Sequence, residues 1–197
     1  LEPKFEKLWG QEQSNLQKWK GILTSRLNNQ NEHQRIISTL EILFQTKISK
    51  QQIVNIFLLF SSPNRTSGSS NGKNITAEIS AAPLEKATHM VGVIWHETIH
   101  LLFEKEYFAN LVEKIIQNQP EKARQVREIA ISSLFPKGLL AQKILNIPPS
   151  TSLYGRPEII PIEKTEKFLS VMRLYIQLNK ALDEDYINKI QEIISKN

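Results

Sequence analysis

The 197-residue chain predicts an α+β fold that is predominantly helical. Three observations carry this expectation. Stretches with apolar residues at helical spacing make up most of the chain, two short segments have strand character, and one nearly all-apolar helix follows the second of them. With 40% hydrophobic residues the chain can bury one substantial core, and no internal repeat or composition shift marks a boundary. Residues 1–197 therefore read as a single domain.

The elements follow in order. Glu2 to Asn28 reads as an amphipathic helix, with Phe5, Leu8, Leu16, Trp19, Ile22, Leu23 and Leu27 along one stripe, and Asn31 to Thr46 repeats the pattern through Ile36, Ile37, Leu40, Leu43 and Phe44. Gln51 to Phe60 is short, β-branched and aromatic, hence a buried strand. Ser61 to Lys73, rich in Ser, Gly and Asn, has the composition of a mobile loop. Asn74 to Ser80 alternates Ile75, Ala77 and Ile79 with Thr76, Glu78 and Ser80, so it reads as a half-exposed edge strand that directly precedes the apolar helix around residue 96. Lys105 to Asn118 is amphipathic, and a further helix starts after Pro120 and ends at Phe135-Pro136-Lys137-Gly138. A short helix from Leu139 to Leu145, a Pro-rich loop from Asn146 to Pro157 and two amphipathic helices within Glu163 to Lys196 complete the chain.

Composition narrows the functions available. Net charge is +5 and the pI about 9.3, but Lys and Arg are dispersed among Glu and Asn. With no dense basic stripe and no reading helix, nucleic acid is not the expected partner, and mild attraction to acidic surfaces is all the charge supports. The chain has no cysteine, so a metal site has only His, carboxylate and water to draw on. No apolar run approaches the length of about twenty residues that spans a bilayer. The first residue is Leu1 rather than Met, which leaves open a processed or a trimmed form and tilts the expected localisation toward export with a signal removed.

His96-Glu97-Thr98-Ile99-His100 is the informative segment. A four-residue step at about 100° per residue puts both imidazoles on one helix face, one turn apart, where a single tetrahedral zinc can take a nitrogen from each. Glu97 leaves the same turn at another angle, which suits a general base acting on a metal-activated water. Two buried histidines satisfied by carbonyls would explain the pair differently, but would leave Glu97 stranded among Ile94, Trp95, Ile99 and Leu101. An unpaired buried carboxylate is costly.

With Val93-Ile94-Trp95 before the first His and Leu101-Leu102 after the second, the segment resembles the active-site helix of the zincin metallopeptidases. The resemblance is specific over about ten residues. It implies a zincin-like fold with a small sheet, an edge strand preceding the buried helix, a Zn2+ cofactor and a peptide or protein substrate. It also implies a third protein ligand. Phe103 and Glu106 stand where metzincins have Gly and His, so the gluzincin pattern, a Glu from a later helix, is the one that remains. Glu104 is about 12 Å along the helix from His96, too far to share the metal, and serves at best to orient His100. Glu106 and Glu113 fit a solvated face. Glu121 follows Pro120, where a first-turn acid suits the helix dipole. Glu128 sits mid-helix among Val126, Ile129, Ala130 and Ile131 and is the preferred ligand, with Glu121 the alternative. Gluzincins carry an acid one turn after that ligand, and this chain has Ser132, whose hydroxyl is a weaker support. For Glu128 to reach the histidines, the motif helix has to end or bend between Lys105 and Asn110.

The implied reaction is peptide-bond hydrolysis by a zinc-activated water, with His96, His100 and Glu128 as ligands and Glu97 as base. Tyr154 is a candidate for stabilising the oxyanion, against the plain alternative of a packing residue. His89 faces the side of His96 two turns earlier, as a cleft or a structural histidine. Backbone near Thr76 to Ser80 is a candidate rim for pairing with an extended peptide, against a plain hairpin strand. Two other classes stay open: a zinc-stabilised zincin-fold binding module without turnover, and a basic helical protein that binds an acidic partner and merely contains the pentapeptide.

Overall fold

The computed structural model describes residues 2–49, 51–60, 67–79, 87–155 and 157–196. It is mostly helical, with one three-stranded mixed sheet. Helices α1 (Glu2–Leu27) and α2 (Gln30–Phe44) come first. Asn29 caps α2 by accepting from the Glu32 amide, and Gln45, in the left-handed region at φ 49°, closes it directly after Phe44. The alternation expected of the long first helix places Trp19 and Leu23 in the core.

The strands are β1 (Asn55–Phe60), β2 (Ser67–Asn71) and β3 (Asn74–Ile79), in the order β1-β3-β2. This arrangement corrects three expectations. Part of the Ser/Gly/Asn segment taken as a loop is a strand, β2, paired antiparallel with β3. Residues 61–66 and 80 lie outside the described residues. The two-residue turn Gly72-Lys73 has Gly72 at φ +61°, the conformation a tight type II′ hairpin requires at its first central position. β3 is consequently the central strand rather than an edge, since β1 lies parallel on its other side. Within the described part of the rim, Thr76 to Ile79, there is no open edge to offer a peptide. β1, like β2, is an edge strand, and it is not buried: Phe57 and Leu59 are 56% and 49% exposed, because α1 covers the strand only in part. β3 buries Ile75, Ala77 and Ile79 completely, as its alternation predicts.

Helix α3 (Ala87–Thr98) packs on β2 and β3 and is buried nearly all round. It widens into one π turn, Ile99–Phe103, where the Glu104 amide bonds to the Ile99 carbonyl at 3.0 Å, five residues back. The chain turns over residues 104–107 and restarts as α4 (Phe108–Ile115), within the interval where the sequence requires a break. Then come α5 (Pro120–Ser132), α6 (Leu139–Ile144), a 3-10 turn (Ile162–Lys164), α7 (Thr165–Gln177) and α8 (Glu184–Ser195). Phe44 stacks edge-on against Phe108 at 5.5 Å, and Phe108 against Tyr186 at 6.2 Å, joining α2, α4 and α8 in the core. No described helix is long and apolar enough to cross a membrane.

The sheet order has a measurable consequence. Ile79→Ala, in the central strand, is expected to lower unfolding stability by about 2–5 kcal/mol, whereas Phe57→Ser, on the exposed edge, should cost less than about 1 kcal/mol. Urea unfolding at unchanged m-value measures both.

Candidate metal centre

The apolar composition of α3 sinks its last turn into the core, so His96 and Glu97 are only 3% and 7% exposed. The helical step then brings the rings of His96 and His100 to a centroid distance of 4.9 Å. Each ring is oriented through its Nδ1. The Phe135 carbonyl, just beyond α5, lies 3.1 Å from His96 Nδ1, and a Glu104 carboxylate oxygen lies 2.6 Å from His100 Nδ1. Both partners are acceptors, so each Nδ1 carries the hydrogen. The two Nε2 atoms are thereby turned on one another at 3.2 Å.

Glu128 completes the group from mid-α5, with its carboxylate oxygens 3.7 Å from His96 Nε2 and 3.5 Å from His100 Nε2. One ligand atom from each of the three lies within 4.8 Å of the others. Donors at about 2.0–2.1 Å from a tetrahedral ion are roughly 3.3 Å apart, so the three observed separations fit a zinc ion with little adjustment. Two imidazoles and one carboxylate are also the donor chemistry zinc accepts. Glu121 is exposed in the first turn of α5, two turns before Glu128, where its place is the dipole role and not the metal.

The surrounding contacts differ in part from those the sequence suggests. Glu104 does orient His100, and it is itself gripped: its other oxygen is 3.2 Å from Arg127 Nε, while Arg127 Nη1 is 3.7 Å from Glu113. Arg127 thus ties the end of the π turn and α4 to α5. Ser132 is fully buried at the end of α5, and its hydroxyl has no hydrogen-bond partner, so it gives Glu128 no support. Tyr154 lies with its ring 5.0 Å from the His96 ring and lines the cleft, combining packing with access to the site. His89 packs against Tyr154 at 6.3 Å and is not part of the cleft lining, which favours its structural reading.

Two contributors had no sequence signal strong enough to identify them. The Ser70 side chain hydrogen-bonds to Glu97. Gly68 lets β2 approach α3 closely, since a Cβ there would come within 2.7 Å of Val93 Cγ1 and 2.9 Å of Glu97 Cγ. A glycine inside a strand often marks such an approach, but only with β2 recognised as a strand does the rule apply.

Electrostatics divide the site. Burial, helped by the charge on His100, lowers His96 to about 4. Burial acts against the charge on His100 as well, but the Glu104 and Glu128 carboxylates outweigh it and raise that histidine to about 10. Burial alone would raise Glu128, yet its hydrogen bond to His100 and the positive charges around it bring it below the usual carboxylate range. Burial holds Glu97 above that range, and the pull of His100 and Ser70 does not reverse it. In the metal-free protein, then, one proton on His100 occupies the electrostatic role a cation would take.

The centre opens on a cleft of about 990 Å³, walled by β2 residues Ser67–Ser70 on one part and by Leu153, Tyr154, Ile159 and Ile160 on another. Compared with family models, curated proteins and solved structures, the chain finds no match.

If the group holds zinc, Glu128→Ala would weaken zinc affinity strongly, while Glu121→Ala would leave it intact and cost about 0.3–1 kcal/mol of stability through the helix dipole. Glu104→Ala should reduce zinc affinity by about 10–100-fold, and calorimetric titration ranks the three.

The histidines make both binding and stability pH-dependent. A metal bound by this group would have to expel the His100 proton, so its apparent affinity would rise with pH and its heat of binding would vary with the ionisation enthalpy of the buffer. Without metal, the His100 contribution is complete below its unfolded value near 6.5 and is lost as pH climbs toward about 10. The His96 contribution runs the other way, complete above about 6.5 and lost as pH falls through about 4. Metal-free stability should therefore peak between these limits in chemical unfolding across pH.

Proposed function

We propose that the chain is a zinc-dependent metallopeptidase of the gluzincin type, hydrolysing peptide bonds with Glu97 as general base. The observation that carries this reading is the convergence of His96 Nε2, His100 Nε2 and a Glu128 oxygen, with Glu97 on the same helix turn but outside the donor group. A purely structural pair of histidines would not need three oriented donors facing an open cleft.

The residues divide the work. His96, His100 and Glu128 would hold the ion, with Phe135 and Glu104 fixing the ring orientations. When bound, zinc supplies Lewis acidity that lowers the pKa of water toward about 7 and polarises a carbonyl. Glu97, held by burial above the ordinary carboxylate range, is suited to take a proton from the attacking water and deliver it to the leaving amine. Ser70 and the close approach of Gly68 hold that carboxylate in place. Tyr154, beside His96, is assigned to the oxyanion. β2 ends the sheet and lines the cleft, so its outer edge offers backbone groups to an extended peptide.

Protein purified without added metal should carry about one zinc per chain by elemental assay, and His96→Ala with His100→Ala should remove it. Glu97→Gln should keep the zinc while peptide cleavage, followed by mass spectrometry of a mixed peptide library, falls by at least about 10²–10⁴-fold. Loss of zinc in Glu97→Gln would contradict the role given to that residue. A zinc-loaded wild-type protein that cuts nothing would instead be the binding module without turnover.

A further inference from the structure

The charges lining the cleft are unevenly partnered. Its three acids are all engaged: Glu104 between His100 and Arg127, Glu128 against both histidines, and Glu97 with Ser70. Its bases are not. Arg127 is paired, and Arg124 acts on Glu128 only at longer range; like Lys105 and Lys137 it has no acidic group within 4.0 Å among the described residues. They come from three places around the centre. Lys105 lies two residues past the π turn, Arg124 lies on α5 four residues before Glu128 and so about 6 Å away along the same face, and Lys137 follows the end of α5.

With the three acids engaged, the cations without a close acid set the sign of the field that an entering ligand meets, and a divalent ion at the centre would add to the same sign. Neutral or basic peptides gain nothing from these side chains. We propose that the cleft selects peptides bearing a carboxylate close to the scissile bond, recognised by Lys105, Arg124 and Lys137. This rests on the metallopeptidase reading above and gives it a substrate class. The carboxylate has two sources, an Asp or Glu side chain or the α-carboxylate of a peptide C-terminus, and the same cations would bind either.

The zinc-loaded Glu97→Gln protein allows binding to be measured without turnover. Three fluorescent peptides with the same apolar residues, one carrying Asp and Glu, one with Asn and Gln in their place and one with Lys, are titrated at low ionic strength. The acidic peptide should bind about tenfold or more tighter than the neutral one, with the gap closing as salt shortens the screening length. Adding Arg124→Gln and Lys137→Gln together should bring that ratio toward unity, with unchanged unfolding midpoints showing that the fold persists. Free-acid and C-terminally amidated versions of the neutral peptide separate the two sources, since only an α-carboxylate site tells them apart. Equal affinity across all charges and both termini, or a preference for the basic peptide, would overturn the proposal. The unmutated zinc-loaded protein serves as the second arm: cleavage without charge order sinks the substrate class alone, and failure to bind or cut any peptide sinks the metallopeptidase reading with it.

Discussion

Two imidazole nitrogens held 3.2 Å apart, both with lone pairs inward, form an arrangement that a buried helix can sustain only around a positive charge. The rest of the centre follows from that constraint. With Nδ1 of each ring committed to an acceptor, neither histidine can relieve the repulsion by changing tautomer without breaking a bond to Phe135 or Glu104. The positive charge must come from a proton or from a metal. Glu128 is placed to neutralise either one. A proton on His100 Nε2 can be donated to the lone pair of His96 Nε2, and the same three ligand atoms could instead hold a metal ion.

The fold meets this demand by interrupting its own helix. Continued straight from His100, the motif helix would carry the chain far from the centre, and the short run to Glu128 could not bring it back. The π turn at Ile99–Phe103 and the break at 104–107 redirect the backbone while leaving Glu104 directly below His100. Such wide turns recur at functional sites because the extra residue redirects side chains without ending the helix. Arg127 then links the two sides of the break, joining Glu104 and Glu113 to the helix that carries Glu128. Ring orientation and ligand position are thereby coupled through one guanidinium, compensating for a Ser132 that contributes no hydrogen bond.

The sheet bears on the chemistry through one contact. β2 has no apolar side chain to anchor it, and its place is defined by pairing with β3 and by Gly68 lying against Val93 and Glu97. A strand built this way has its polar residues free to line the cleft. It brings Ser70 to Glu97 and leaves its outer edge at the rim.

What was legible in the sequence is what depends on near neighbours in the chain. His96, Glu97 and His100 take their relative positions from helical geometry alone, and Glu104 reaches His100 by the same four-residue step. The apolar stripes of α1, α2, α7 and α8 likewise follow from periodicity, as does the alternation that buries Ile75, Ala77 and Ile79. Preference for Glu128 over Glu121 came from local burial, and the need for a break came from chain length. Partners distant in sequence were not legible. Ser67-Gly68-Ser69-Ser70-Asn71 carries no hydrophobic period, so its strand exists only because β3 offers an edge, and the exposure of Phe57 and Leu59 depends on which strand lies in the middle. The Phe135 carbonyl, the Arg127 clamp and the isolation of the Ser132 hydroxyl depend on how α5 and the segment after it pack against their neighbours. Short-range geometry determined the chemistry this chain could hold, while long-range packing decided how that chemistry is oriented and what can approach it, because side-chain direction within one helix is set by the backbone and contact between elements is set by the core they share.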